Sequence, residues 1–164
     1  MAGFLLSVHV VAAIVFVGSV TVAVSLFPRY ARLALDDETA HAARPVVHLL
    51  HRVTRVYALL ALAVPVFGIA VGSALGVLGE AWVQVSMLLT LVAGLLLAGV
   101  VLPRQRDLVA LADPPAVAAG PGTPVRTDAA ALVRRLAMAS GTFNLVWVAV
   151  VVLMIVRPGS TTGV

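Results

Sequence analysis

The stretch FLLSVHVVAAIVFVGSVTVAVSLF, Phe4–Phe27, decides the fold because it contains no arginine, lysine, aspartate or glutamate. A hydrocarbon core of about 30 Å needs roughly 20 apolar helical residues, so this stretch is long enough to cross a membrane. Of the 164 residues, 62% are hydrophobic and only 11% are charged, and the mean hydropathy is +1.11. Soluble domains are far more polar. The sequence therefore predicts an integral membrane protein.

Three further apolar segments are long enough to span, so the predicted fold is an all-α bundle of four transmembrane helices. The predicted spans are 4–27, 54–75, 82–102 and 136–156, within a single domain over 1–164. Between them lie two predicted loops, 28–53 and 103–135. The first span exceeds the roughly 7–15 apolar residues of a signal peptide, so we expect it to be retained.

All eleven basic residues are arginines, and most of them fall in the two predicted loops. The positive-inside rule then predicts cytoplasmic loops and extracytoplasmic termini. The arginine bias and the richness in alanine, valine and leucine favour a bacterial protein of the plasma membrane. We expect the basic surface to face anionic lipid headgroups rather than nucleic acid. The predicted headgroup-facing residues are Arg29, Arg32, Arg44, Arg52, Arg55, Arg104, Arg106, Arg134 and Arg135.

One histidine interrupts the first span. His9 lies about five residues into it, or ~8 Å along a helix. Such a residue is either a hydrogen-bonded packing residue or a ligand. The predicted topology puts Ser86, Met87 and Met154 near the same face, and imidazole with thioether suits Cu(I) or an axial haem pair.

A second histidine pattern occurs in HAARPVVHLLHRVTR, residues 41–55, where histidines and arginines recur at steps of three and four. On a helix they form one stripe. The stripe is interpreted either as the water-facing cytoplasmic end of the second span or, through His48 and His51, as a metal or haem site. These two lie near the face opposite His9, so they cannot share one iron with it.

The segment HVVAAIVFVGSVTVAVSLFPRYARLAL is similar to the opening of the HemJ-type membrane family, and it also resembles CopD-like copper-associated domains. The similarity covers residues 5–35, with a weaker match in AWVQVSMLL. It implies a b-type haem, with His9 as a ligand. The HemJ-type family has a lysine early in the third span, where this chain has Ser86. The resemblance therefore implies a haem or copper site, with Met87 as a further ligand, more than an oxidase.

Small and polar residues within the spans predict how the helices meet. Gly68 with Gly72, and Gly94 with Ala98, are expected contact stripes. Pro65 is expected to kink the second span, and Asn144, with Ser140 one turn before it, is expected to hydrogen-bond another helix.

Three functions follow. The first is a haem- or copper-binding protein of redox or metal-handling type. The second is a non-catalytic subunit or lipid-interacting scaffold, as a homo-oligomer or in a larger membrane complex. The third is a small transporter, for which Pro65, Gly68 and Asn144 would mark a path.

Overall fold

The chain folds into four long helices. They are α1 (Ala2–Ala34), α2 (Ala40–Leu75), α3 (Ala81–Ala112) and α4 (Arg126–Val156). The structure, a computed structural model, describes residues 1–113 and 126–159, with the backbone alone at 126–128. Over those residues it contains no strand. Each helix is long and apolar enough to cross a membrane, which confirms the predicted fold class.

The helices extend well beyond the apolar spans, so most of the described residues in the predicted loops 28–53 and 103–135 are helical instead. Only residues 35–39 separate α1 from α2, and α3 continues to Ala112. Hydropathy marks where a helix leaves the apolar layer, not where its backbone hydrogen bonding ends. The predicted connector between α3 and α4 falls partly on 114–125, outside the described residues.

Proline disturbs α2 where the sequence predicts it. Ala61 and Leu62 interrupt the helix one turn before Pro65. The Val64 N–H there bonds the Ala61 carbonyl, three residues back, at 3.0 Å. Proline has no N–H for the carbonyl four residues earlier, and its ring collides with that carbonyl, so the turn tightens instead.

The turn between α2 and α3 depends on two glycines. Gly76 ends α2 in the left-handed conformation, with φ +70°, and the Val77 N–H reaches back to the Gly72 carbonyl at 3.0 Å. This is the hydrogen bond of a Schellman motif. A Cβ on Gly72 would lie 2.6 Å from Leu78 Cδ2. Gly72 therefore makes room for the turn's own leucine, not for a neighbouring helix as predicted.

The predicted contact stripe of Gly94 and Ala98 is also wrong. A Cβ on Gly94 would meet nothing within 4 Å, and both residues are exposed. The buried residues of this stretch are Ala93 and Leu97, one position earlier on each turn. The face that α3 turns inward is therefore rotated by about 100° from the predicted one.

The two ends of the bundle are packed differently. At the arginine-rich end, where α1 and α3 finish and α2 and α4 begin, α1 packs against the other three helices and α2 also packs against α3. Phe27, Leu108 and Leu136 are fully buried there. At the opposite, arginine-poor end, α1 pairs with α2 and α3 pairs with α4, and little joins the two pairs beyond the α2–α3 turn. The core therefore lies mostly in the arginine-rich half.

Candidate functional site

His9 lies on α1 near the arginine-poor end and is fixed against α2. Its Nδ1–H donates to the Val64 carbonyl oxygen at 2.9 Å. A carbonyl only accepts, so Nδ1 carries the proton and, in the neutral ring, Nε2 carries the lone pair. In the part of the chain that the structure describes, Nε2 has no hydrogen-bond partner, and it is not a buried atom. This ring therefore presents an accessible nitrogen lone pair.

Gly68 makes this contact available. In a helix a side chain leans toward the preceding turn, so residue 68 would normally cover the carbonyl four residues earlier. A Cβ on Gly68 would lie 3.0 Å from His9 Cε1 and 3.3 Å from Nδ1. The absence of a side chain lets the imidazole reach Val64. Gly68 is thus an interhelical contact, as predicted, and its contact is with the histidine ring.

The other residues predicted to act with His9 are not on one surface. Ser86 is fully buried, and its Oγ has no hydrogen-bond partner among the described residues. Met87, the next residue, is 43% exposed. The turns of α3 that carry both pack against α4 rather than against the start of α1, and Met154 on α4 is half-buried. Among the described residues, no group of three histidine, aspartate or glutamate side chains is placed to hold a metal ion.

Two of the three histidines at the arginine-rich end are hydrogen-bonded to α3 instead. His48 Nε2–H donates to Asp113 Oδ1 at 2.8 Å, and His51 Nδ1–H donates to Gln105 Oε1 at 3.3 Å. Each histidine therefore has one ring nitrogen bonded to the neighbouring helix, and a metal or haem role for this pair stays a prediction.

Gln105 is the polar centre of this contact, and the sequence gives little sign of it. Its side chain is fully buried, and its Nε2 donates to Thr54 Oγ1 at 3.3 Å. Thr54 is also fully buried and donates to the Leu50 carbonyl at 2.9 Å. His51, Gln105 and Thr54 together form a polar clasp between α2 and α3, which we call the glutamine clasp.

The His48–Asp113 pair should contribute little to stability. Both side chains are 48% exposed, and ion pairs of that kind are typically worth less than about 1 kcal/mol. We expect Asp113→Asn to change the midpoint of thermal unfolding in detergent only slightly. A fall in this midpoint as large as that caused by replacing a buried residue of the glutamine clasp would show that the pair is needed for the fold.

Asn144 forms the predicted interhelical hydrogen bond. Its Nδ2 donates to Ser25 Oγ on α1 at 2.9 Å, and Ser25 donates to the Thr21 carbonyl at 2.6 Å.

The nine arginines expected at lipid headgroups all lie toward the arginine-rich end. The structure thus separates a histidine site at one end from a basic surface at the other.

The comparisons with known proteins agree with the fold. No curated protein and no solved structure matches the chain significantly. The profile of the family described as predicted integral membrane protein (DUF2269) matches residues 4–158. That is most of the chain, and the match supports a membrane protein family without supporting the HemJ-type or CopD-like name. The protein, a four-helix integral membrane protein, belongs to the DUF2269 family.

Proposed function

We propose that the protein binds b-type haem in the membrane, with His9 Nε2 as an axial ligand, in a redox role. The observation that carries the proposal is the hydrogen bond from His9 Nδ1–H to the Val64 carbonyl. Histidines that bind metals usually donate their other ring N–H to a carbonyl or carboxylate, which fixes the tautomer and orients the ring. His9 has this arrangement, and its second nitrogen is accessible.

Haem suits this site better than copper. One imidazole is enough for an axial haem ligand, whereas a copper site needs several donors of its own. The described histidine and carboxylate side chains do not supply such a group, and Met87 and Met154 project from helices that pack mainly on each other. Copper held by His9, Met87 and Met154 is the alternative. The proposal needs only His9, and Met87 as a second haem ligand stays a prediction from the sequence.

The residues around His9 would hold its ring in position rather than take part in a reaction. The Val64 carbonyl keeps the lone pair on Nε2, and Gly68 keeps the ring close to α2. His9 stands in an apolar stretch of α1, and a surrounding of low polarity would tune the potential of a bound haem. A bound haem would supply one-electron transfer.

An absorption spectrum of the detergent-purified protein, with haem and copper quantification, tests this proposal. We expect a Soret band from the wild-type protein and its loss in His9→Ala, because no other described histidine lies at that end. His41→Ala is the matched control, since His41 is exposed at the arginine-rich end. It should leave the spectrum unchanged.

The other outcomes are equally informative. Copper without a Soret band, lost in His9→Ala, would support the copper alternative. A purified protein with neither group, even after expression with added haem precursor and copper, would overturn the proposal. His9 would then be a packing residue, and the non-catalytic subunit would be the better function.

A further inference from the structure

A groove of about 340 Å³ runs between α1 and α4 in the arginine-rich half of the bundle. The α1 wall carries Ser25, Arg29 and Arg32, each one turn from the next. The α4 wall carries Ser140, Gly141 and Asn144. A Cβ on Gly141 would meet nothing within 4 Å, so this wall is open. The groove faces away from the bundle, toward whatever surrounds the helices.

Two polar atoms of the α4 wall lack partners. Ser140 is only 3% exposed, and its Oγ has no hydrogen-bond partner in the described residues. The Oδ1 of Asn144 is likewise buried and unpartnered, although Nδ2 of the same amide is bonded to Ser25. Unsatisfied buried polar atoms are costly and uncommon. Their presence beside a groove indicates that a polar group from outside the chain supplies the missing hydrogen bonds.

The α1 wall adds positive charge. Arg29 and Arg32 are exposed, and neither forms an ion pair or a side-chain hydrogen bond within residues 1–113 and 129–159. Guanidinium groups bind phosphate oxygens through two parallel hydrogen bonds, and an adjacent pair of arginines matches a phosphodiester well. The charge of the groove therefore selects an anion.

Beyond its polar rim the groove continues into an apolar surface. Toward the middle of the bundle α1 exposes Val22 and Leu26, and α4 exposes Leu145 and Val148. A volume of about 340 Å³ is at the small end of ligand sites, so it accommodates a polar headgroup rather than a whole lipid. An occupant that is anionic at one end and apolar at the other fits both parts.

We propose that the α1–α4 groove binds the headgroup of an anionic phospholipid, with its phosphate on Arg29 and Arg32, its polar oxygens at Ser140, and its acyl chains along the apolar surface. The hydroxyl of Ser140 donates to a phosphate or ester oxygen, and Asn144 Oδ1 accepts from a headgroup hydroxyl or from its water. A phosphate without chains would leave the apolar part uncovered. A zwitterionic headgroup would bring its positively charged ammonium group close to two arginines, which would repel it.

Native mass spectrometry of the delipidated full chain, titrated with defined lipids, tests the site. Dioleoyl phosphatidylglycerol should bind about tenfold more tightly than dioleoyl phosphatidylcholine, the change expected when charge-assisted hydrogen bonds are added. Two variants should remove that preference: Arg29→Gln combined with Arg32→Gln, and Gly141→Leu, which fills the groove without changing charge.

Matched controls separate this site from general attraction to a basic protein. Arg106→Gln removes an exposed arginine of the same end, and Gly94→Leu adds a leucine to an exposed glycine of α3. Neither should change the preference. Equal losses in Arg106→Gln and the arginine pair, or unchanged lipid binding in folded Gly141→Leu, would overturn the proposal.

Two further arms complete the design. Inorganic phosphate should not displace the lipid at millimolar concentration, and displacement would show a free-anion site instead. His9→Ala should bind the lipid like the wild type, because His9 lies at the other end of α1. Failure of the haem proposal therefore leaves this one untouched.

Discussion

Replacing Gly68 with valine should separate the arginine-poor ends of α1 and α2. The added Cβ would lie 3.0 Å from the His9 ring, and the ring cannot withdraw without breaking its hydrogen bond to Val64. Steric strain of this kind costs about 1–3 kcal/mol, and an interhelical hydrogen bond in a membrane about 0.6–1.7 kcal/mol. We expect the free energy of unfolding to fall by about 2–4 kcal/mol.

The same change should also test the role of the histidine. If Nε2 of His9 ligates haem, Gly68→Val should shift or remove the Soret band along with the thermal midpoint. Gly94→Val is the control, because it places the same β-branched side chain on an exposed helical glycine with open space around it. A Gly68→Val protein as stable as this control would show that the His9–Gly68 contact is dispensable.

Truncating Gln105 to alanine should have an effect of similar size at the other end of the bundle. The change removes the hydrogen bonds that join Gln105 to His51 and Thr54 and opens a cavity at a fully buried position. A buried donor left without its acceptor costs about 1–3 kcal/mol, and the cavity adds to it. The expected total is about 2–4 kcal/mol.

Two further variants divide that effect into its parts. Gln105→Leu keeps the volume but not the hydrogen bonds, so it should recover only the cavity contribution. Gln84→Ala, at an exposed position of α3, should be neutral. Unfolding in detergent, followed by circular dichroism, measures all three. A Gln105→Ala protein that unfolds like Gln84→Ala would show that the glutamine clasp does not hold α2 to α3.

The sequence predicts the membrane class and the four helices because long apolar runs allow few other structures in lipid. It cannot predict which face of each helix turns inward, since lipid is as apolar as the core and hydropathy is nearly uniform around a span. Gly94 shows this limit: its small size favours a contact, yet the inward residue is Ala93. The inward face is set by how each helix packs against the others, and the sequence alone does not give that packing.

The site was predictable in part. An isolated imidazole in an apolar span marks His9 as a residue with a partner, but the partner is a backbone carbonyl, which has no sequence signal. Gly68 was recognisable as a contact, because small residues let helices approach. Gln105 was not, because it stands between Arg104 and Arg106 and reads as part of a solvated end.

The unequal packing of the two ends has a mechanical consequence. A molecule whose helices interlock at one end and merely pair at the other resists force differently from its two sides. When magnetic tweezers apply force at the α2–α3 turn, the α1–α2 pair should separate from the α3–α4 pair in small successive unfolding steps. Pulling from the interlocked end should give a single large rupture at higher force.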